Sequence, residues 1–257
     1  MMFKERLGLI FKDVRLGFQL AKYDFKLKNE GSYLGVLWYL LDPLLMFFII
    51  LFIRSSFLVS DVPNYPIYLL VGLIVFNFFR KTTMSSINAI SGNSNLIKSI
   101  NLNKEVFVIS RVFQSVFSHL FEILLLIAFM IYFEISLMGL VFYPVILVLL
   151  VLFVSGISFI LSILGVYVND LNNIWSIFTR LLWFGTPIFY IVEKGTSLYR
   201  INLFNPMYYF IEGVRGVVIN QMMDLLMLLI VASIGIIVLL IGLYIFEINK
   251  DKFVESL

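Results

Sequence analysis

Arg80 and Lys81 stand side by side in an otherwise apolar run, and with Asn77 and Asn88 they fall on one helical face. Two further apolar runs carry similar stripes. Arg111, Gln114, Ser115, Ser118, His119 and Glu122 share a face in one, and Asn172, Ser176, Thr179 and Arg180 share a face with Trp183 in the other. Ionisable groups in such surroundings are costly, so these faces are expected to meet protein or water rather than lipid. The chemistry they offer is anion binding. One carboxylate cannot neutralise two adjacent cations, which makes an anionic ligand an economical partner for Arg80 and Lys81. The plainer alternatives are hydrogen bonding between helices and snorkelling of the long side chains to a membrane surface.

Catalytic chemistry is poorly provided for. The chain has no Cys, and His119 is its one histidine, so neither a thiolate nucleophile nor an H-E-x-x-H metal site can be assembled. Glu122 and Glu134 lie on opposite halves of one apolar run, and no acidic cluster suits a metal-dependent transferase. No Gly-Lys dipeptide occurs, which excludes a P-loop. Neither a catalytic residue nor a metal or other cofactor is expected in this chain, and it is expected not to be an enzyme.

The elements that must hold these side chains are membrane helices. Of 257 residues 61% are hydrophobic and 14% charged, well outside the range of soluble domains, and the mean hydropathy is +1.01. A net charge of +3 gives no reason to expect nucleic acid as a partner. Continuous apolar runs at 35–53, 66–88, 106–133, 140–166, 173–191 and 225–246 predict about six spans. Runs of this length read as helices rather than barrel strands, so the expected class is an all-α integral membrane protein, folded as one domain over 1–257. Seven basic residues precede the first span (Lys4, Arg6, Lys12, Arg15, Lys22, Lys26, Lys28). Lys98 and Lys104 follow the second and Lys250 and Lys252 the last, which predicts cytoplasmic termini. The opposite loops hold Arg54, Lys194, Arg200 and Arg215. The N-terminus does not read as a cleaved signal.

Residues 1–30 form a separate amphipathic element. Phe3, Leu7, Ile10, Phe11, Val14, Phe18, Ala21 and Phe25 make one apolar stripe, and Leu9, Leu16 and Leu20 a second one opposite. Two stripes predict a helix lying between lipid and another protein surface. Beyond it, Gly31 and Gly35 are placed to turn the chain into the membrane, Trp38 and Tyr39 to sit at the interface, and Asp42-Pro43 to open a backbone carbonyl beside a pathway. The candidate substrate-pathway residues are therefore Trp38, Tyr39, Asp42, Arg80, Lys81, Arg180 and Trp183. The loop 89–105 can hold a short helix with Leu96, Ile97 and Ile100, a surface for a soluble partner. The segment 193–221 is apolar but too short to cross. Asn205 can cap a re-entrant or surface helix that Pro206 opens, with Phe204 and Tyr209 placed for a hydrophobic staple. Ser155, Ser158, Ser162 and Gly165 suggest close helix packing along the fourth span.

Read in order, "GSYLGVLWYLLDPLL" (31–45), "NLIKSINLNKEVFVIS" (95–110), "NDLNNIWSIFTRLLWFGTPIFY" (169–190) and "NPMYYFIEGVRG" (205–216), after a basic amphipathic helix, resemble the membrane subunit of type-2 ABC exporters for polysaccharides. That family moves lipid-linked O-antigen, capsule or wall teichoic acid. The resemblance implies a gate helix over the N-terminal residues and a coupling helix at 92–103 with Leu96, Ile97, Lys98 and Ile100. It also implies an outer gate with Asn205, Pro206, Tyr208, Tyr209, Glu212 and Arg215. A homodimer of this chain, two copies of an ABC ATPase subunit carrying the ATP and Mg, membrane lipid and a lipid-linked glycan are the implied partners, in the bacterial cytoplasmic (inner) membrane. Where the family often has Asn, this chain has Asp42, and the pair Arg80-Lys81 matches no family role. A permease for a smaller lipid or drug, a membrane-embedded glycan-assembly enzyme and an ion channel are the alternatives; the chain lacks the acid clusters of an enzyme and a clear filter loop.

Overall fold

The computed structural model describes residues 2–57, 63–99 and 102–250, with side chains from residue 11 onward and, in the first stretch, as far as 54. The side chains of Phe3, Lys4, Arg6, Leu7, Leu9 and Ile10, together with Ile100 of the expected coupling segment and Lys252, lie outside the described residues. Among the described residues every regular element is a helix: α1 (Met2–Glu30), α2 (Trp38–Phe57), α3 (Tyr65–Ile87), α4 (Ser94–Ser99), α5 (Glu105–Tyr132), α6 (Tyr143–Tyr167), α7 (Leu171–Gly185), α8 (Ser197–Asn202), α9 (Pro206–Val218) and α10 (Leu225–Asn249).

Five of these, α2, α3, α5, α6 and α10, are long and apolar enough to cross a membrane. The run expected to form a sixth span, 173–191, divides instead. α7 has 15 residues, or about 22 Å at 1.5 Å per residue, short of a hydrocarbon core of about 30 Å. Pro187 is the cause: it disfavours helical backbone at the residue before it, and Thr186 is extended at ψ 137°. The chain beyond Thr186 turns back on α3, where the Tyr65 hydroxyl donates to Phe189 O at 2.8 Å and the Tyr68 hydroxyl to Tyr190 O at 3.0 Å.

α3 is the central post, buried on nearly every side against α2, α5, α6, α7 and α9. Because lipid tails are as apolar as leucine, this burial stabilises through close packing rather than exclusion of water. The pairing of α6 with α10 shows how. The buried residues of α10 are Val231, Gly235, Gly242 and Phe246, a narrow seam at steps of four and seven. Gly242 lies against the backbone of Gly156, and a Cβ at Gly156 would collide with Val238 O. At the other end of α6, Gly165 lies against the backbone of Ile87. The expected small-residue contact is present at Ser158, Ser162 and Gly165, which are joined by three glycines the sequence reading did not select.

α1 lies along α5. Phe18 meets Phe113 and Phe117 edge-on, at 5.4 Å from each; Ala21 is fully buried, and Gly17 leaves room for Ile109. Asp24 pairs with Arg111 at 3.5 Å, and Asn103 Nδ2 donates to Asp13 at 2.8 and 3.0 Å. Leu20, from the second stripe, reaches a smaller apolar cluster around Phe107 and Phe246, while Phe11 stays exposed. The helix thus has one protein-facing side and one open side, but the two stripes do not divide between them: Ala21 of the first and Leu20 of the second both face protein.

Candidate functional site

Asp42 is brought into place by a sharp change of direction. α1 ends at Glu30, the Ser32 hydroxyl accepts from Gly35 N–H at 3.1 Å, and Gly35 has φ +45°, a backbone that favours glycine. A 3-10 turn over Gly35–Leu37 then runs into α2. Trp38 and Tyr39 diverge. Trp38 is half exposed, whereas Tyr39 turns inward and stacks on Phe25 at 5.6 Å and Phe121 at 6.2 Å, pinning α1, α2 and α5 together.

From Asp42 a chain of polar contacts crosses four helices. Asp42 Oδ2 lies 3.2 Å from Lys81 Nζ, and Lys81 Nζ lies 3.1 Å from Glu122 Oε1. Glu122 Oε2 is 2.8 Å from His119 Nδ1, and His119 Nε2 is 2.8 Å from the Tyr143 hydroxyl. A neutral imidazole satisfies both neighbours by donating from Nδ1 to the carboxylate and accepting from the tyrosine. His119 and Glu122 are each 1% exposed, so the network meets the requirement that buried polar groups be partnered. One carboxylate is not expected to neutralise both Arg80 and Lys81; the structure brings two to the pair, Asp42 from α2 and Glu122 from α5. Lys81 takes most of both. Arg80 Nη2 is left 3.9 Å from Asp42 and 3.5 Å from Asn77.

Two clefts meet at Asp42. One, of about 300 Å³ between α2, α3 and α7, is lined by Asp42, Asn77, Arg80, Thr179, Arg180 and Trp183, with apolar walls at Met46 and Leu73. The other, of about 380 Å³ where α1 gives way to α2, is lined by Lys28, Ser32, Trp38, Tyr39, Asp42 and Lys81. The other six candidate pathway residues therefore line the two clefts that share Asp42. α7 is held in register by Trp175 Nε1 donating to Thr83 Oγ1 at 3.0 Å and by reciprocal Asn88–Asn172 bonds at 3.3 and 3.2 Å. Among the described residues no carboxylate lies within ion-pair distance of Arg180, so cations outnumber carboxylates in this region. The sequence reading missed Lys28 as part of the cleft and Tyr143 as the partner of His119. Nothing in a one-dimensional pattern marks such a pairing between distant residues.

The expected coupling segment contains a helix, shorter than 92–103. A 3-10 turn at Ser91–Asn93 leads into α4, with Leu96 and Lys98 exposed and Ile97 turned towards the cluster around Phe107. Close by, Lys104 Nζ donates to Lys250 O, and Lys250 pairs with Glu247 at 2.7 Å and Glu105 at 3.5 Å. Burial would lower the pKa of Lys250, but the two carboxylates prevail and raise it.

The 193–221 segment folds into α8 and α9. Asn205 Oδ1 accepts from Met207 N–H at 3.0 Å and Pro206 opens α9, as expected. The staple does not form: Phe204 is 91% exposed, and the Tyr209 hydroxyl donates to Leu203 O. Tyr208 and Glu212 border a further cleft of about 590 Å³ that also has Lys194 and Asp224 in its walls. Arg215 points into the protein. It is 3% exposed, bonds Tyr68 O and Ile188 O, and pairs with Glu212 at 2.7 Å.

Comparison with known proteins places these features in a family. The ABC-2 type transporter family matches this chain over residues 16–219. Two O-antigen export system permease proteins of Klebsiella pneumoniae are 29% and 28% identical to it over 257 residues, covering 99% of this chain and 98% of each relative. An O-antigen export system permease protein of Myxococcus xanthus is 24% identical over 243 residues, covering 93% of this chain and 94% of the relative.

Proposed function

This chain belongs to the ABC-2 type transporter family, and on that premise we propose that it is the membrane subunit of an ATP-driven exporter that moves a lipid-linked polysaccharide of O-antigen type outward across the bacterial cytoplasmic membrane. The observation that carries this reading is the end-to-end match to O-antigen export permeases over 99% of the chain. ATP binding and hydrolysis, with the Mg they need, fall to a separate ABC ATPase subunit, in keeping with the missing P-loop. Two copies of this chain form the pathway and two ATPase subunits drive it. Both termini and α4 face the cytoplasm, where the excess of Lys and Arg lies. α4 then presents Leu96 and Lys98 to the ATPase. Arg80, Lys81 and Lys28, which line the two clefts, attract the phosphate groups that join such a glycan to its lipid.

Deleting the gene for this chain should leave lipid-linked glycan inside the cell and strip it from the surface, with rescue by wild type and not by Leu96→Asp. Normal surface glycan in the deletion strain would refute the reading. Full rescue by Leu96→Asp would move the ATPase contact away from α4.

A further inference from the structure

The two carboxylates that hold Lys81 are not equivalent. Glu122 is 1% exposed and is gripped from two sides, by Lys81 and by His119. Asp42 is 43% exposed, and its salt-bridge partners are Lys81 at 3.2 Å and Arg80 at 3.9 Å. It also rides on the lightly packed α2, whose buried side chains among the described residues are few, Tyr39, Pro43 and Phe47. Parting Glu122 from Lys81 would leave a carboxylate in an apolar interior with His119 as its remaining partner, which is costly. Releasing Asp42 would return a carboxylate to water in one of the clefts it borders, at the cost of a partly screened pair. Lys81 would keep Glu122 meanwhile.

The position Asp42 occupies is the meeting point of the two clefts. Arg80 and Arg180 line the cleft on one side of it, with Asn77 and the aromatic wall of Trp183; Lys28 and Lys81 line the cleft on the other. A phosphoryl anion there would meet cations from α1, α3 and α7, and a planar guanidinium binds phosphate through two parallel N–H bonds.

We propose that Asp42 is a displaceable place-holder: it occupies an anion site between Arg80 and Lys81 that a phosphoryl group takes over, with Arg180 as the further cation of that site. This rests on the export reading for the identity of the natural ligand but not for the existence of the site. Substrate phosphate and internal carboxylate compete for the same cations, so the resting site is neutralised without being blocked. Arrival of phosphate cuts the ionic tie between α2 and α3 while leaving the tie between α3 and α5 intact.

The test uses the full-length chain in phosphatidylcholine nanodiscs, titrated with inorganic pyrophosphate while tryptophan emission is recorded. Two of the three tryptophans, Trp38 and Trp183, line the clefts. Asp42→Asn keeps the shape and removes the competitor, so half-saturation should fall about three- to tenfold, while Arg80→Gln and Arg180→Gln should raise it about tenfold. A merely structural Asp42 predicts the opposite sign. Unchanged or weaker pyrophosphate binding in folded Asp42→Asn, with no emission change enhanced by that variant in phosphatidylglycerol nanodiscs, overturns the proposal. Should that variant fail to fold, unchanged binding in Arg180→Gln, which loses no ion pair among the described residues, overturns it equally. A parallel series in phosphatidylglycerol nanodiscs without pyrophosphate identifies the source of the phosphate. An emission change that Asp42→Asn enhances there alone supports the place-holder and assigns its phosphate to a lipid headgroup. No export step or ATPase enters the titration. Lost tightening with intact glycan export therefore sinks the place-holder alone, and intact tightening without export sinks the function alone.

Discussion

Arg215 allows the sharpest stability prediction. Its guanidinium donates from Nε and Nη2 to Tyr68 O at 3.2 and 3.1 Å and from Nη2 to Ile188 O at 2.9 Å, and it pairs with Glu212 through Nη1. Its Cζ also sits 3.3 Å from the centre of the Tyr68 ring. One side chain thus ties α9 to α3 and to the turn that Pro187 creates. Arg215→Met keeps the volume but strands Ile188 O and Glu212. Breaking a buried pair from one side costs about 3–5 kcal/mol. Because Glu212 is 31% exposed and can recover solvation, about 3 kcal/mol is the expected loss. Arg215→Lys keeps the charge yet cannot span both carbonyls and the carboxylate, so about 1–2 kcal/mol should be lost. Adding Glu212→Gln to Arg215→Met should recover about 1 kcal/mol. Equilibrium unfolding of the purified chain in mixed micelles measures all three, and limited proteolysis across 186–218 reports whether the loosening is local. Arg215→Met within about 1 kcal/mol of wild type would refute the clamp, and full rescue by lysine would refute the geometric part of the argument.

Other outcomes follow from the same structure. In the Lys81–Glu122 pair, Glu122→Leu alone should destabilise by about 3 kcal/mol or more, and the double change Lys81→Met with Glu122→Leu by clearly less; additive losses in unfolding experiments would mean that the pair does not act as one unit. Gly156→Leu drives a side chain into the α10 backbone at Val238, and the expected loss of thermal stability is far greater than for Ser155→Leu on the half-buried side of α6; equal effects would contradict the glycine seam. In a chain without Cys, cysteines introduced at Ser99 and Ser197 should label from opposite sides of the membrane, Ser197 from outside, and labelling from one side would overturn the topology.

Some of the site was legible in advance because the bilayer penalises polar groups so heavily that each one inside an apolar run points to a partner or to water. Arg80, Lys81 and Arg180 were selected on that ground, Trp183 for sharing a face with Arg180 and Asp42 for its place beside Pro43, and they meet around one pair of clefts. The same logic could not say which carboxylate answers which cation. Asp42 and Lys81 are 39 residues apart and Lys81 and Glu122 are 41 apart, and only the packing of α2, α3 and α5 against one another decides that two acids converge on one ammonium. Arg215, which the resemblance assigns to an outer gate, turns inward to hold backbone carbonyls, a contact that no one-dimensional pattern displays.

The sequence by itself determined the all-helical class, the amphipathic α1, the cap at Asn205 and the five helices long and apolar enough to span. These depend on local quantities, namely apolar run length, periodicity and the fit of a side chain to its own backbone. It also held the signal that α7 must stop, in Pro187, although the surrounding hydropathy hid it. Which glycines form the α6–α10 seam, which tyrosine answers His119 and where Asp42 points were decided by tertiary structure alone. Each depends on the distance between two helices that no residue sets alone: helices of similar apolarity gain nothing by facing one another in lipid until shape and hydrogen bonds match, and that match belongs to the pair.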